Sequence, residues 1–549
     1  MILIDGRLDH RQRLAGELGL NPEAEQDTDL VRAAYERWDA DWIEHIHGTV
    51  AVIIIDTDRK RVLACRDELG RVPLYYHLSD DCLLLGSSPA MLLRYPALDP
   101  TRDRDWLAWY FGAMYSEVGH RSPFAAIRQL LPNQTLIWDA GDDTVEFRLA
   151  RNRLGRQRIR FLSEEAYGEG FRERLGASIA DRTRGIDRMG ILLSGGMDSC
   201  PVGCLTAEHF RSTGQGLTAY SWTLKGFPEA DESRELSLCA EFAGIPTVLL
   251  PGDDLLPFTD PLNEPVDINS PVSNAFWRLF DMIYRRAAAE GCRILLQGTF
   301  GDRLYPYGWE VADALSDGQW ALAGQELRRQ WRRLGWLGLI TSKSTRNAIK
   351  RLLGVSHLRR PKAPEWLSPE AAARLDFELW PLEGERHPRP EQHRALLGPR
   401  LFERSVGHRV DQTAQGIYRL DPFHDWDLID YMLAIPAYQS RRLGQTKYLT
   451  RNAMRGHMPE SLRTRPRGSL LSSFFDAGFD RARPEIEAFL GQPDCTWPEY
   501  LVRERVLGTL RDPKASGLQR VLVHMALSYE LWNRKLAADL VRPGHFSFE

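Results

Sequence analysis

The most informative stretch of the sequence is a glycine turn within residues 189–205, MGILLSGGMDSCPVGCL. An apolar run leads directly into the turn, and a helical pattern follows it. Two adjacent glycines permit a tight backbone turn that directs N–H groups and the helix N-terminus toward an anion. An ordinary strand-to-helix turn built from small residues is the alternative. The full pattern favours a phosphate-binding loop with five fixed positions: Ser194, Gly195, Gly196, Asp198 and Ser199.

Asp198 is the unexpected member of this loop, because a carboxylate beside a bound phosphate is repulsive unless a cation lies between them. Mg²⁺ prefers oxygen ligands and is commonly held by one or two carboxylates together with substrate phosphates. We therefore expect Mg²⁺ to bridge Asp198 and the phosphates.

The segments around this turn predict the elements that position it. A charged helical stretch at residues 164–183 precedes the apolar run 189–193, and a second helix follows the turn. Alternating strands and helices are typical of a parallel sheet with helices on its faces. From about residue 270 onward, helical patterns rich in Trp, Leu and Arg dominate.

The first part of the chain has a different character. Between Thr49 and Ser87, short apolar runs alternate with Asp, Gly and Pro clusters, which is typical of strands in a meander or sandwich. Residues 1 to about 148 are therefore predicted to be β-rich. We predict two domains, residues 1–150 and residues 151–549.

Composition excludes several classes of protein. The chain has 549 residues, 43% of them hydrophobic, and a net charge of −4, so neither disorder nor a general nucleic-acid-binding role is expected. No apolar run approaches the roughly 20 residues that span a bilayer, and no secretion signal is recognisable, so we expect a cytoplasmic protein without a membrane partner. Seven scattered cysteines without zinc spacing favour reduced core thiols over a metal site.

Several motifs together resemble the asparagine synthetase class B superfamily, which belongs to the ATP pyrophosphatases. The S-G-G-x-D-S loop resembles their pyrophosphate loop and is not a Walker loop. Four further segments resemble family motifs in the right order: RDELGRVPLYY at 66–76, GTFGD at 298–302, DPFHD at 421–425 and KYLTR at 447–451. The resemblance implies a degenerate N-terminal-nucleophile-type β-sandwich, followed by a doubly wound parallel sheet of the ATP-pyrophosphatase type with a helical C-terminal part.

The resemblance also implies roles for particular residues. Asp198 and Asp302 would hold Mg²⁺ against the phosphates of ATP, with Gly301 in the same ATP-binding loop as Asp302. Ser221 falls where the adenine should lie, although a plain strand residue is an equal alternative. Lys447 could approach the phosphates, with a surface lysine as the alternative. The expected cofactors are ATP and Mg²⁺.

The residues for glutamine hydrolysis depart from the family pattern. Full-length relatives begin with a nucleophilic cysteine at position two, whereas residues 5–14 here resemble a segment that normally lies some tens of residues into that domain. A glutaminase cannot work without its nucleophile. The N-terminal domain is therefore expected to be a scaffold or a docking surface.

The acyl-transfer residues depart from the pattern as well. Where relatives carry a catalytic glutamate, this chain has Tyr418, and where they carry a lysine in an R-x-K pattern it has Arg467. Arginine keeps the positive charge but donates a proton less readily. We assign catalytic roles to Arg467, Tyr418 and Lys447. Three aspartates close by could serve as a base, with structural roles as the alternative: Asp411, Asp421 and Asp425.

Without a built-in ammonia source, the attacking amine is expected to arrive with the substrate. The resemblance then shifts toward lasso peptide cyclases, macrolactam synthetases that join a peptide's N-terminal amine to an Asp or Glu side chain. Its implied partners are a precursor peptide, a leader-peptide-binding protein and a leader protease. Residues 326–362 carry eleven Lys or Arg against one acidic residue, which fits either a solvated helix face or a docking surface for an acidic segment.

Three other functions remain open. A small-molecule amide or β-lactam-type synthetase would need no peptide partner. For a catalytically dead scaffold that binds an adenylate, intact Asp198 and Asp302 argue against this function, whereas Tyr418 and Arg467 leave it open. Asparagine synthesis from free ammonia is a further enzyme alternative.

Overall fold

The structure is a computed structural model that describes most of the chain. The described residues are 1–112, 119–150, 154, 157–354, 362–375, 389, 392, 396, 415–466, 468 and 470–540. Two residues to which the sequence analysis gave possible roles, Asp411 and Arg467, lie outside the described residues.

The first large element is an antiparallel five-stranded sheet in the order β1-β2-β3-β7-β8. Apolar residues dominate its central strands, and β2 runs antiparallel to β1 with Ile54 opposite Ile2. The turns between strands carry the Asp and Gly residues that favour reversals. The strands are β1 Ile2–Asp9, β2 His47–Asp56, β3 Arg61–Arg66, β7 Gln134–Asp139 and β8 Thr144–Leu149.

A second antiparallel sheet, in the order β5-β4-β6, packs against the first. Side chains from both sheets, including Ala64, Tyr76 and Leu136, form a shared apolar core, so the two sheets form a sandwich. Its strands are β4 Tyr75–Leu78, β5 Leu83–Gly86 and β6 Arg128–Gln129.

Helices cover the outer faces of the sandwich, which the β-rich prediction did not include. Leu14, Leu30 and Trp42 pack on the outer face of the five-stranded sheet. The loop at residues 19–26 separates the two amphipathic stretches that form the helices there. The helices are α1 Arg11–Leu18, α2 Asp27–Trp38, α3 Pro89–Leu92 and α4 Arg104–Gly112, with a 3₁₀ turn at Asp39–His45.

The second half of the molecule is built on a parallel five-stranded sheet in the order β11-β10-β9-β12-β13. The strand order reverses between β9 and β12, and ligands of open α/β sheets bind at the carboxyl ends of strands at such a switch point. The strands are β9 Arg188–Leu192, β10 Gly216–Thr223, β11 Thr247–Pro251, β12 Ile294–Leu296 and β13 Tyr418–Leu420.

Helices lie on both faces of this sheet, as a doubly wound fold requires. Ile283 and Tyr284 of α8 pack against Tyr220 and Leu295 on one face. Helices α5, α6 and α7 contribute to the large core on the other face. These helices are α5 Glu164–Thr183, α6 Ser199–Thr213, α7 Ser233–Ala243 and α8 Trp277–Ala289.

The remaining elements are mostly helical, as predicted for residues after 270. A two-residue hairpin, β14 Arg441–Arg442 with β15 Gln445–Thr446, interrupts them. The helices are α9 Glu310–Ser316, α10 Trp320–Ile340, α11 Lys343–Leu352, α12 Pro369–Ala373, α13 Trp426–Ala434, α14 Ala437–Ser440, α15 Tyr448–Ala453, α16 Glu460–Arg463, α17 Ser472–Leu490, α18 Arg503–Arg511 and α19 Gly517–Leu540.

A buried charged cluster joins the sandwich to the parallel-sheet half. Arg182 of α5 lies 3.0 Å from Asp9 of β1 and 3.3 Å from Asp425, which caps α13. His10 adds a contact of 3.4 Å to Asp425. We call these four residues the junction cluster. Each of its carboxylates has a cationic partner, so the cluster ties the two halves together.

Two further predictions concern membrane-spanning helices and the state of the cysteines. Within the described residues, no helix combines the length and apolarity needed to cross a bilayer. All seven cysteines are free thiols, and six of them are buried.

Candidate active site

The predicted phosphate loop lies at the carboxyl edge of the parallel sheet. It connects β9 to α6, and the backbone N–H of Ser194 donates to Ser199 Oγ at 3.1 Å. The two serine hydroxyl oxygens are 3.0 Å apart. Gly195 has φ +72°, and a Cβ there would lie 2.6 Å from Glu235 Cβ at the start of α7. Only glycine therefore fits this tight turn.

A second loop, from β12, packs directly on the first. A Cβ at Gly298 would lie 2.6 Å from the carbonyl carbon of Asp198, and a Cβ at Gly301 would overlap Asp198 Oδ1. The spacing of the two glycines in G-T-F-G thus allows backbone from β12 to touch the loop from β9. The contact places Asp302 next to Asp198 at the switch point.

Lys447 lies between these two carboxylates. Its Nζ is 2.5 Å from Asp198 Oδ2 and 2.6 Å from Asp302 Oδ1. Lys447 occupies the left-handed region at φ +55°, directly before α15, so the β14–β15 hairpin delivers the side chain from a fixed position. We call Asp198, Asp302 and Lys447 the acidic triad.

Burial and charge set the protonation of the triad. Burial raises the pKa of Asp198 to about 6, while Lys447 lowers that pKa and Asp302 raises it. Burial alone would lower the pKa of Lys447, but the charge of Asp198 and hydrogen bonds to both carboxylates raise it. Lys447 is therefore a cation at neutral pH. The Asp302 side chain is 78% exposed and faces solvent.

The triad fits a magnesium ion bound together with phosphates. Asp198 Oδ1 is buried and has no hydrogen-bond partner, so one carboxylate oxygen is available to a ligand. Two carboxylates against one ammonium leave one negative charge in excess. Among the described residues no cluster of three or more His, Cys, Asp or Glu could hold a metal. Mg²⁺ commonly takes one or two carboxylates from the protein and its other ligands from substrate phosphates and water.

Ser221 lies at the same edge of the sheet as the triad. It is buried in the carboxyl half of β10, and the neighbouring Tyr220 carbonyl accepts a hydrogen bond from Leu193 N at 3.3 Å, just before Ser194. The structure thus brings together all predicted ATP-binding positions: Ser194, Gly195, Gly196, Asp198, Ser199, Ser221 and Gly301.

Tyr418 is not part of this arrangement. It opens β13 opposite Ile294, at the amino end of both strands, whereas the triad lies beyond their carboxyl ends. Its side chain packs against the large apolar core. The structure therefore does not bring Tyr418 together with Lys447. Tyr418 lies four residues before the Pro-Phe pair in the sequence, and this spacing alone does not show which end of β13 the residue occupies.

The segment that carries Arg467 does approach the phosphate loop, although Arg467 itself lies outside the described residues. Arg465 Nη1 is 3.3 Å from Glu232 Oε1, and Arg465 Nη2 is 3.5 Å from Glu235 Oε1. Glu235 is the residue on which Gly195 packs. Arg465 therefore lies beside the loop.

Sequence reasoning missed Tyr305. Its hydroxyl contacts that of Thr450, on the helix that follows Lys447. Burial raises the pKa of Tyr305, and the charges of Asp198 and Asp302 raise it further, so the hydroxyl stays neutral and can donate a hydrogen bond. Its position three residues after Asp302 is the one sequence signal, and it is weak.

The sequence matches two families. Residues 170–534, about two thirds of the chain, match the Asparagine synthase family, and residues 8–153 match the Glutamine amidotransferase domain. The chain belongs to the asparagine synthase family.

Three curated relatives share partial similarity. Asparagine synthetase [glutamine-hydrolyzing] 3 of Bacillus subtilis is 27% identical over 40% of this chain and 36% of its own length. Amidase chyE of Penicillium rubens is 25% identical over 65% and 56%, and amidase chry2 of Gibberella zeae is 23% identical over 55% and 47%. The chain thus spans between about a third and just over half of these relatives' lengths.

Two solved structures align weakly with the chain. A glutamine phosphoribosylpyrophosphate amidotransferase from B. subtilis aligns with a TM-score of 0.19 at 12% identity, covering 46% of this chain and 60% of that chain. The U34-tRNA thiolase NcsA from Methanococcus maripaludis aligns with a TM-score of 0.20 at 13% identity, covering 45% and 86%. Similarities this low carry no argument about function.

Proposed function

We propose that this protein is an ATP-dependent macrolactam synthetase. It would adenylate an Asp or Glu side chain of a precursor peptide and join it to the peptide's N-terminal amine, giving an isopeptide ring and releasing AMP and pyrophosphate. The observation that carries the proposal is the position of the acidic triad, in which Asp302 and Lys447 contact Asp198 of the phosphate loop at the switch point of the sheet.

The first step is adenylation. A carboxylate oxygen of the peptide attacks the α-phosphorus of ATP, the bond to the bridging oxygen breaks, and pyrophosphate leaves with the electron pair. Lys447, held as a cation, stabilises the charge that develops on the phosphates. The N–H groups of the loop and the N-terminus of α6 bind phosphate oxygens. Asp198 and Asp302 would hold Mg²⁺, which supplies further charge neutralisation.

The second step forms the amide. The uncharged N-terminal amine attacks the acyl carbon, its surplus proton passes to solvent water, and AMP leaves with the electrons of the broken C–O bond. Because both reacting groups belong to one bound molecule, the attack is intramolecular, and orientation lowers its entropic cost.

We further propose that the attacking amine arrives with the substrate. Cys65 is buried in β3, and burial raises the pKa of its thiol well above the usual range, so it is no nucleophile. Cys82 is the other cysteine in residues 1–150 and lies at the β4–β5 turn, away from the core. We include in the proposal a leader-peptide-binding protein and a leader protease that frees the N-terminal amine.

A second candidate function is a small-molecule amide synthetase. Two relatives are named amidases and match 65% and 55% of this chain, more than the B. subtilis asparagine synthetase does. Such an enzyme would use the same triad but would need neither a peptide nor a protease.

Pyrophosphate release with ATP and Mg²⁺ tests the proposal. The substrates are peptides with a free N-terminal Gly and a downstream Asp or Glu, and the variants are Asp198→Ala and, as a matched control, the exposed Asp254→Ala. We expect release by the wild type and the control but not by Asp198→Ala, with a product lighter by one water. Release with small carboxylates and amines alone would favour the second candidate. No release with either class would favour a scaffold.

A further inference from the structure

A second polar pocket lies outside the acidic triad, between α10, α11 and β14. Its volume of about 40 Å³ holds the centres of about three waters, which is the scale of one carboxylate or phosphate group. We call it the α10–α11 pocket. Its lining residues used below are Tyr307, Glu326, Arg329, Arg333, Lys343 and Arg441.

The pocket carries an excess of positive charge. Four of its lining residues are cationic and one, Glu326, is acidic. Glu310, buried behind the wall, lies 3.7 Å from Arg441 and offsets part of that charge. Four cations against two carboxylates leave two positive charges. Arg329 and Arg333 form no ion pair with any carboxylate in the described part of the chain.

The start of α11 adds to this positive field. Ser342 caps the helix by accepting a hydrogen bond from Thr345 N at 3.1 Å, and residues 342–344 line the pocket. Gln330 of α10 fixes this end, because its Nε2 donates to Ser344 Oγ at 3.2 Å and its Oε1 accepts from Ser342 Oγ at 3.3 Å. A helix N-terminus together with guanidinium groups that have no described ion partner favours an anion.

Aromatic stacking fixes one wall of the pocket. The guanidinium carbon of Arg441 lies 4.6 Å from the ring centre of Tyr307, and Lys343 Nζ lies 5.8 Å from it. Such cation–π contacts hold both cations against the ring. The cations are therefore positioned before any ligand arrives.

Two short segments connect the pocket to the acidic triad. Tyr307 follows Asp302 by five residues, so their Cα atoms are at most about 18 Å apart. Arg441 pairs with Thr446, the neighbour of Lys447, which places the Cα atoms of Arg441 and Lys447 within about 9 Å. One substrate of peptide size can span both sites.

We propose that the α10–α11 pocket is a carboxylate subsite that binds an acidic group of the peptide while a second carboxylate reacts at the triad. The planar fork of arginine matches a carboxylate with two parallel hydrogen bonds. Leu334 at the rim offers apolar surface to the neighbouring side chain of the peptide. The peptide as ligand rests on the proposed function.

Equilibrium binding tests the subsite without turnover. Fluorescein-labelled hexaglutamate and hexaglutamine are titrated by anisotropy, without ATP, against the wild type and the double variant Arg329→Gln/Arg333→Gln. Arg328→Gln/Arg332→Gln is the matched control, since both residues are exposed on the same helix outside the pocket. Arg329→Lys/Arg333→Lys keeps the charge.

We expect hexaglutamate to bind the wild type about tenfold more tightly than hexaglutamine, and Arg329→Gln/Arg333→Gln to lose about tenfold in affinity. The control should stay within about twofold, and the lysine variant, which keeps the charge but loses the fork, should bind with an affinity between those of the wild type and the glutamine variant. An equal loss in both glutamine variants would show diffuse surface attraction and overturn the subsite. So would pocket-dependent binding of inorganic phosphate without binding of hexaglutamate.

The two proposals fail in different ways. If pyrophosphate release occurs with peptides but the glutamine variants bind hexaglutamate like the wild type, the subsite is wrong and the synthetase stands. If the variants lose binding but no peptide supports release, the pocket binds carboxylates and the macrolactam function is wrong.

Discussion

The acidic triad and the junction cluster each gather two aspartates around cationic side chains, but they differ in how fully charge is balanced. In the junction cluster, Arg182 and His10 face Asp9 and Asp425, so two cations meet two carboxylates. In the triad a single lysine serves two carboxylates. A balanced cluster is typical of structure, whereas an unbalanced one is poised for a ligand.

The largest expected effect separates the two clusters by activity. Asp198→Asn removes a carboxylate that would hold Mg²⁺, so we expect pyrophosphate release to fall by a factor of about 100 or more. The melting temperature should not fall, because the change removes an excess negative charge. A variant that retains activity would show that the triad is structural.

Arg182→Met should show the opposite behaviour. It leaves Asp9 and Asp425 buried without their main cation, which costs about 3–5 kcal/mol of unfolding free energy. Urea denaturation measures this loss. The partly exposed Arg184→Met is the control and should change stability by less than about 1 kcal/mol. Equal stability of the two variants would contradict the structural role of the junction.

Gly301→Ala tests the contact between the two loops. The added methyl group overlaps Asp198 Oδ1, so Asp198 must move, and we expect pyrophosphate release to fall by about tenfold or more. Gly176→Ala in α5 is the control, because a Cβ there meets open space and should stabilise the helix by about 0.5–1 kcal/mol. Full activity of Gly301→Ala would show that the loops can separate freely.

The smallest effect concerns pH and the junction. Burial would lower the pKa of His10, but its hydrogen bond to Asp425 and the charges of Asp425, Asp427 and Asp181 raise it to about 9. A raised pKa stabilises the fold fully below the unfolded value near 6.5, and this stability is lost as pH rises through about 9.

The corresponding measurement is urea denaturation from pH 6 to pH 9.5. The unfolding free energy of the wild type should exceed that of His10→Gln by about 1–2 kcal/mol at the acidic end, and the difference should shrink toward the alkaline end. A difference that does not vary with pH would mean that His10 acts through packing alone.

The predictability of these regions follows from how local their determinants are. The phosphate loop could be predicted because glycines, serines and one aspartate within six residues define both its turn and its chemistry. Asp302 followed from a second local motif. The parallel sheet and the strands of residues 49–87 followed from apolar periodicity, which the structure retains.

What the sequence did not predict depends on distant contacts. The place of Tyr418 depends on the register of β13 against β12, which local spacing does not reveal. Lys447 was expected near the phosphates, but its position between two carboxylates depends on the hairpin before it. The junction cluster joins residues more than 170 positions apart in sequence. Helices α1 and α2 were not predicted, because the strand pattern of residues 49–87 was extended to all of residues 1–148.

The contact of Gly298 and Gly301 with Asp198 makes the two loops a single exchangeable part. The loop from β12 has no room for a side chain where it meets Asp198. A chimera that takes one loop from a relative should therefore take both, because each loop is shaped to fit the other. Engineering a new substrate range is safer at α10 and α11, which lie outside this interlocked pair.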